Sequence, residues 1–165
     1  MNAAHFHLIV NHFPIIAPII GICVMLGGII LKSETVKRTA YCIFVIGAIS
    51  AIFASLSGEG AEEVVEHLPG IDKHYIHNHE EAAETLAFLL YILGGLSIFG
   101  FYASLKNKAF AKFMPLVTLV FSLVVLFFAQ KTGTTGGEIR HIEIRATTNT
   151  GNIPANRNAH EEDED

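Results

Sequence analysis

The chain has 165 residues, 51% of them hydrophobic, and carries 11 basic against 16 acidic side chains for a formal charge of −5. That balance argues against nucleic acid as a partner, and a chain this short and apolar suits one membrane bundle with no second folded domain. Two cysteines, each inside an apolar run, offer no disulfide framework and read as packing thiols, Cys23 and Cys42.

The first apolar run covers residues 8–31. No basic segment precedes it, no small-residue cleavage site follows it, and it exceeds the ~7–15 residues of a secretory core, so it reads as a retained helix. Its outer end holds the run His12-Phe-Pro-Ile-Ile-Ala-Pro. Pro18 removes an amide donor and crowds the Pro14 carbonyl, which predicts a kinked or loosely wound stretch; a helix starting at Pro14 is the alternative.

The second run, 39–57, contains Gly47, Ala51 and Ser55 at four-residue spacing, a stripe that lets helix backbones approach closely. Past it, Glu59, Glu62, Glu63, Glu66 and His67 predict a helix projecting beyond the membrane until Pro69 and Gly70 stop it. The third helix begins near Asn78 or earlier, with Glu80, Glu81 and Glu84 in its first turns and its apolar run at 86–105. The fourth run, 113–130, gives way to Lys131-Thr-Gly-Thr-Thr-Gly-Gly, which reads as a flexible or turning linker.

Four runs of about 20 residues each match the ~30 Å hydrocarbon core, so the fold class is an all-α integral membrane protein, a four-transmembrane-helix bundle. Lys32, Lys37 and Arg38 join the first two spans and Lys106, Lys108 and Lys112 the last two, with Glu34 the sole acid in either loop. By the positive-inside rule those loops face the cytoplasm and both termini lie outside, in the periplasm of a bacterial inner membrane. All nine histidines and the other fifteen acidic residues then fall on the outer side. The expected layout is one domain over 1–145 and a disordered acidic tail over 146–165.

The outer ends of all four helices supply histidines: His7 or His12, His67, His77 or His79, and His141. His7 and His12 are five apart, roughly 140° around a regular helix, so they share a site only if the proline segment bends. Glu59, Glu63 and His67 line one helix face, as do His77, Glu81 and Glu84 on the next, while Glu138-Ile-Arg-His141 matches a spacing that di-iron bundles use twice. Imidazoles with carboxylates suit iron, copper or zinc; two imidazoles alone suit the axial positions of a b-type haem, for which His12 and His79 are candidates. The competing reading is a solvated polar rim.

The segment His7-Leu-Ile-Val-Asn-His12-Phe-Pro14 resembles the His-x-x-x-x-His-Phe-Pro opening of the bacterial membrane proteins of the domain of unknown function 2231 family. Gly136-Gly137-Glu-Ile-Arg-His141 looks like the closing motif of that family, and the four-span layout agrees across nearly the whole chain. Leu8 and Ile142 depart from its usual proline and glycine. The resemblance implies histidines of the first and fourth helices gathered at one end of the bundle, and supplies no activity.

These observations lead to a membrane protein binding a redox metal cofactor, b-type haem or non-haem iron or copper, near its periplasmic face through His7, His12, His79 and His141. A metal set of His12, His67, His77, His79, Glu59, Glu63, Glu81, Glu84 and His141 is the broader candidate. The expected role is electron transfer with a quinone, a periplasmic carrier or a larger respiratory-type complex. Metal capture for a partner is a second reading. A purely structural subunit, packing through Phe99, Phe101, Phe121, Phe127 and Phe128, is a third. No charged or histidine side chain lies deep in any span, which argues against transport.

Overall fold

The computed structural model describes residues 2–69, 71–141 and 143–145, and every regular element among them is helical. The expected tail at 146–165, with His160, lies outside the described residues. The helices are α1 (Ala3–Val10), α2 (Phe13–Ile30), α3 (Glu34–Glu66), α4 (Lys73–Leu105) and α5 (Met114–Glu138), the last preceded by a 3-10 turn at Ala109–Lys112. Four stretches are long and apolar enough to cross a membrane, α1 and α2 together forming the first.

The expected disturbance in the first span takes a definite form. The helix breaks at Asn11 and His12, His12 takes the N-cap position of α2, and Pro14 sits in the first turn, where its missing N–H costs nothing. Pro18 lies inside α2 and is buried, so the helix continues through it.

The helices α2, α3, α4 and α5 close into a ring, each packed on two neighbours, and α1 lies along the outer part of α3. Small residues make the seams. Gly47 of α3 lies against Ala17 of α2, Gly94 of α4 against Ala48 of α3, and Gly100 of α4 against the ring of Tyr41. Inside the ring Met25, Phe44, Leu90, Leu93, Val125 and Ala129 are wholly buried. Long apolar side chains such as Ile30, Leu56, Phe88 and Phe127 point outward, as they would toward lipid.

Three expectations are corrected. The four-residue stripe on α3 holds for Gly47 and Ala51 but not for Ser55, which is exposed; Ser57 and Ala61 are buried instead. A step of four overshoots the 3.6-residue turn, so by the third member the stripe has rotated off the seam. The cysteines are exposed on the outer surface rather than packed in the core. Finally, α5 runs through the glycine-rich segment to Glu138, because Thr132, Thr134 and Thr135 bond back to their own helix and the glycines admit neighbours: Gly133 meets Ile15, and Gly136 meets His79.

The two short loops on the basic side end their helices in one way. Ser33 N–H bonds the Gly28 carbonyl (3.0 Å) and Lys32 N–H that of Ile29 (3.2 Å); Lys108 N–H bonds Ala103 O (3.0 Å) and Asn107 N–H Ser104 O (3.4 Å). Both are Schellman closures with a left-handed residue after the C-cap, Lys32 at φ 50° and Asn107 at φ 46°. Asparagine tolerates that conformation and lysine does not. Lys32→Gly is therefore expected to stabilise the fold by about 1 kcal/mol, read as a rise in the detergent unfolding midpoint, with Asn107→Gly giving a smaller gain. Beside these loops Arg38 donates to Ser104 Oγ and to the Ser104 carbonyl, both at 2.9 Å, and Ser104 Oγ donates to Glu34 (3.0 Å). The basic end is thereby tied between α3 and α4.

Candidate functional site

The histidines cluster by end but not by contact. His12 turns back across the helix break onto α1, its Nδ1 at 3.0 Å from the Leu8 carbonyl, and is exposed. His67 donates to the Glu63 carbonyl (2.7 Å) in the same way. His77 lies between Glu80 (3.5 Å) and Glu81 (3.3 Å) on the outer surface of α4, and His141 pairs with Glu143 (2.8 Å), all exposed. The Glu143 carboxyl is held below its usual range by its own backbone N–H and by the His141 ring. Glu59, Glu63, Glu81 and Glu84 are solvent-facing. Among the described residues no three His, Cys, Asp or Glu side chains gather closely enough to hold a metal ion. The broad carboxylate-and-histidine metal set is thus spread over the rim, because helical periodicity aligns residues along one helix without turning that face toward the next.

Two imidazoles differ from the rest. His7 on α1 and His79 on α4 are half-buried, and lie close enough to interact electrostatically. His7 Nδ1 is 3.0 Å from Ser57 Oγ of α3, and His79 Nδ1 is 3.2 Å from Thr135 Oγ1 of α5. Four elements therefore converge on this pair. His7 comes inward because Ala3 packs directly on Gly60, setting α1 against α3. His79 comes inward because α4 and α5 are locked in register: Thr132 Oγ1 donates to the Ala82 carbonyl (3.0 Å), and Gly136 leaves room for the His79 ring. A Cβ at Gly136 would stand 3.0 Å from His79 Cε1 and 3.2 Å from Nδ1.

The hydroxyls favour one tautomer of each imidazole. A hydroxyl has one proton to give. Ser57 gives its proton to the Ala54 carbonyl (3.0 Å) and Thr135 gives its own to the Thr132 carbonyl (3.1 Å). With the hydroxyl protons so directed, each oxygen accepts from the histidine beside it, an arrangement that favours the proton on Nδ1 of both rings. In the neutral ring Nε2 is left with its lone pair, and no hydrogen bond is made to Nε2 of either ring among the described residues. The Asn11 amide oxygen, at the break between α1 and α2, is also buried without a partner.

Of the four histidines expected at a cofactor, the structure half-buries His7 and His79 at one end of the bundle, each held by a hydroxyl of a neighbouring helix, and leaves His12 and His141 exposed. Ser57, Thr135 and Gly136 were not legible as site residues. Ser57 could have been suspected as a hydroxyl at the point where α3 turns from apolar to acidic. Gly136 stood out only through a motif resemblance. No family model, no curated protein and no solved structure matches the chain.

Proposed function

We propose that this is an inner-membrane electron-transfer protein that holds a b-type haem at its outer end through His7 and His79. The observation that carries the reading is the pair of half-buried imidazoles with Nδ1 anchored and Nε2 free. Histidines that ligate metal commonly donate their other N–H to a fixed acceptor, which sets tautomer and ring orientation. Two such ligands without a third protein donor fit a cofactor that brings four ligands of its own, and fit an isolated iron, copper or zinc ion less well. Bound there, a haem would supply one-electron chemistry. The chain would supply two neutral imidazoles, the hydroxyls that orient them and the packed helices that limit water.

The lysines and Arg38 at the opposite end support a cytoplasmic position for that end by the positive-inside rule, and with it a periplasmic site and both termini outside. His79 lies six residues into α4, within the part of that helix that overhangs an apolar core of about 20 residues ending at Leu105. The site then falls near the outer headgroup layer. Exposed Glu59, Glu63, Glu80, Glu81 and Glu84 lie on the outer parts of α3 and α4 and suit a basic periplasmic carrier better than an acidic one. The resemblance to the domain of unknown function 2231 family agrees with a bacterial membrane location.

The test is the visible spectrum of protein purified in detergent, before and after dithionite. A Soret band with a sharp reduced α-band at one haem per chain is expected. A featureless spectrum from folded protein isolated from haem-replete cells would refute it. Ser57→Ala and Thr135→Val are expected to keep the haem but bind it about 10–100-fold more weakly, as loss of a ligand's orienting partner does elsewhere; haem titration of the two variants checks this.

A further inference from the structure

A second polar site lies far from the histidines, in the core toward the basic end. Helical serines and threonines normally satisfy their hydroxyls on a carbonyl of the preceding turn. Thr39, Ser50, Ser57, Thr85, Ser122, Thr132, Thr134 and Thr135 all do so here. Ser97 and Thr118 do not, though both are fully buried, and the Tyr41 hydroxyl, on a side chain 1% exposed, also has no partner.

The three belong to one place. Tyr41 of α3 presses its hydroxyl end onto Gly100 of α4, where a Cβ would stand 2.8 Å from the phenolic oxygen. Ser97 is one helical turn from Gly100 and on the same face. The antiparallel register that seats Thr132 on the Ala82 carbonyl and Thr135 on His79 brings Thr118 of α5 level with Ser97. Thr118 lies near the Tyr41 hydroxyl without closing a hydrogen bond to it. Three helices thus each direct one unsatisfied hydroxyl into a common space, and the Glu34–Ser104–Arg38 network adjoins it one to two turns nearer the basic surface.

A dry arrangement is the expensive one. A buried hydroxyl without a partner loses its hydration for nothing, and inside a bilayer no solvent makes up the loss. Three such groups side by side supply the two to four polar partners that an ordered water needs. We propose that Tyr41, Ser97 and Thr118 form a binding site for ordered water inside the bundle. The site is sealed from solvent and is separated from the histidines by Leu86, Leu90, Leu93 and Val125.

Two measurements on the full chain in detergent decide this. Tyr41→Phe, Ser97→Ala and Thr118→Val each remove one hydroxyl with little change in shape. If water bridges them, each variant lowers the unfolding midpoint by a few degrees, and pairs are non-additive. If the hydroxyls are dry, removing an unsatisfied group raises the midpoint or leaves it unchanged, which overturns the proposal. A variant that fails to fold is covered by X-ray radiolytic labelling of the unmodified protein, in which bound water generates radicals locally. Modification of Tyr41 at a rate well above that of the equally buried Phe44 supports the site, and equal protection of the two overturns it.

Discussion

His7→Ala and His79→Ala are each expected to abolish the haem spectrum, while His12→Ala, His67→Ala, His77→Ala and His141→Ala leave it intact. The contrast follows from geometry. His12, His67, His77 and His141 are exposed, bonded to a nearby carbonyl or set among exposed carboxylates, whereas among the described residues only His7 and His79 are half-buried and held across helix seams. A haem held by both imidazoles would lose one of its two protein ligands in either variant, and its characteristic spectrum with it. The measurement is absorbance at the Soret maximum per mole of folded chain, with circular dichroism as the check on folding. Retention of the full spectrum by His79→Ala, or its loss in His12→Ala and not in His7→Ala, would overturn this ligand assignment.

Gly136→Val belongs to the same prediction. The added side chain would meet the His79 ring edge at 3.0–3.2 Å, and Thr135 beside it anchors Nδ1 of that ring. Interiors close-packed to this degree respond to small volume changes by shifting side chains. The expected result is a haem that binds with an altered or broadened spectrum, in contrast to the outright loss in His79→Ala.

The parts of this molecule that were readable in the sequence are those set by composition over many residues. Four apolar runs, two basic loops and an outer rim of acids depend on sums, and single positions do not disturb them. Contacts across seams depend on the rotation of each helix about its axis, and that is fixed by a few close approaches. Ala3 on Gly60 turns His7 inward, and Gly136 admits His79; no spacing rule within one helix contains either fact. The glycine-rich segment after Gln130 shows the same limit from the other side. Its composition reads as a turn, yet in α5 the glycines serve as surface against which Ile15 and His79 pack. His12 was the natural candidate from its motif, but the helix break one residue before it makes it a cap and directs its ring to Leu8.

The glycine pairs give the second large effect, with an internal control. Gly27 and Gly28 are neighbours in α2, as Gly94 and Gly95 are in α4, and the members of each pair should respond oppositely to alanine. A Cβ at Gly28 would lie 2.8 Å from the backbone nitrogen of Lys37 and 3.2 Å from its Cα, and one at Gly94 would lie 2.6 Å from the Ala48 Cβ. Neither obstacle is a flexible side-chain end, so α2 must move from α3, or α4 from α3, to make room. Overpacking of this kind costs about 1–3 kcal/mol. At Gly27 and Gly95 a Cβ meets nothing within 4 Å. There alanine only removes backbone freedom from the unfolded chain, a gain of roughly 0.5–1 kcal/mol. At about 2–4 °C per kcal/mol for a chain of this size, Gly94→Ala should unfold several degrees below the parent and Gly95→Ala a degree or more above it. Equal shifts within a pair would show that α3 is not the face against which these glycines pack. The ring of four helices, and with it the register that carries His79 to Thr135, would then need to be redrawn.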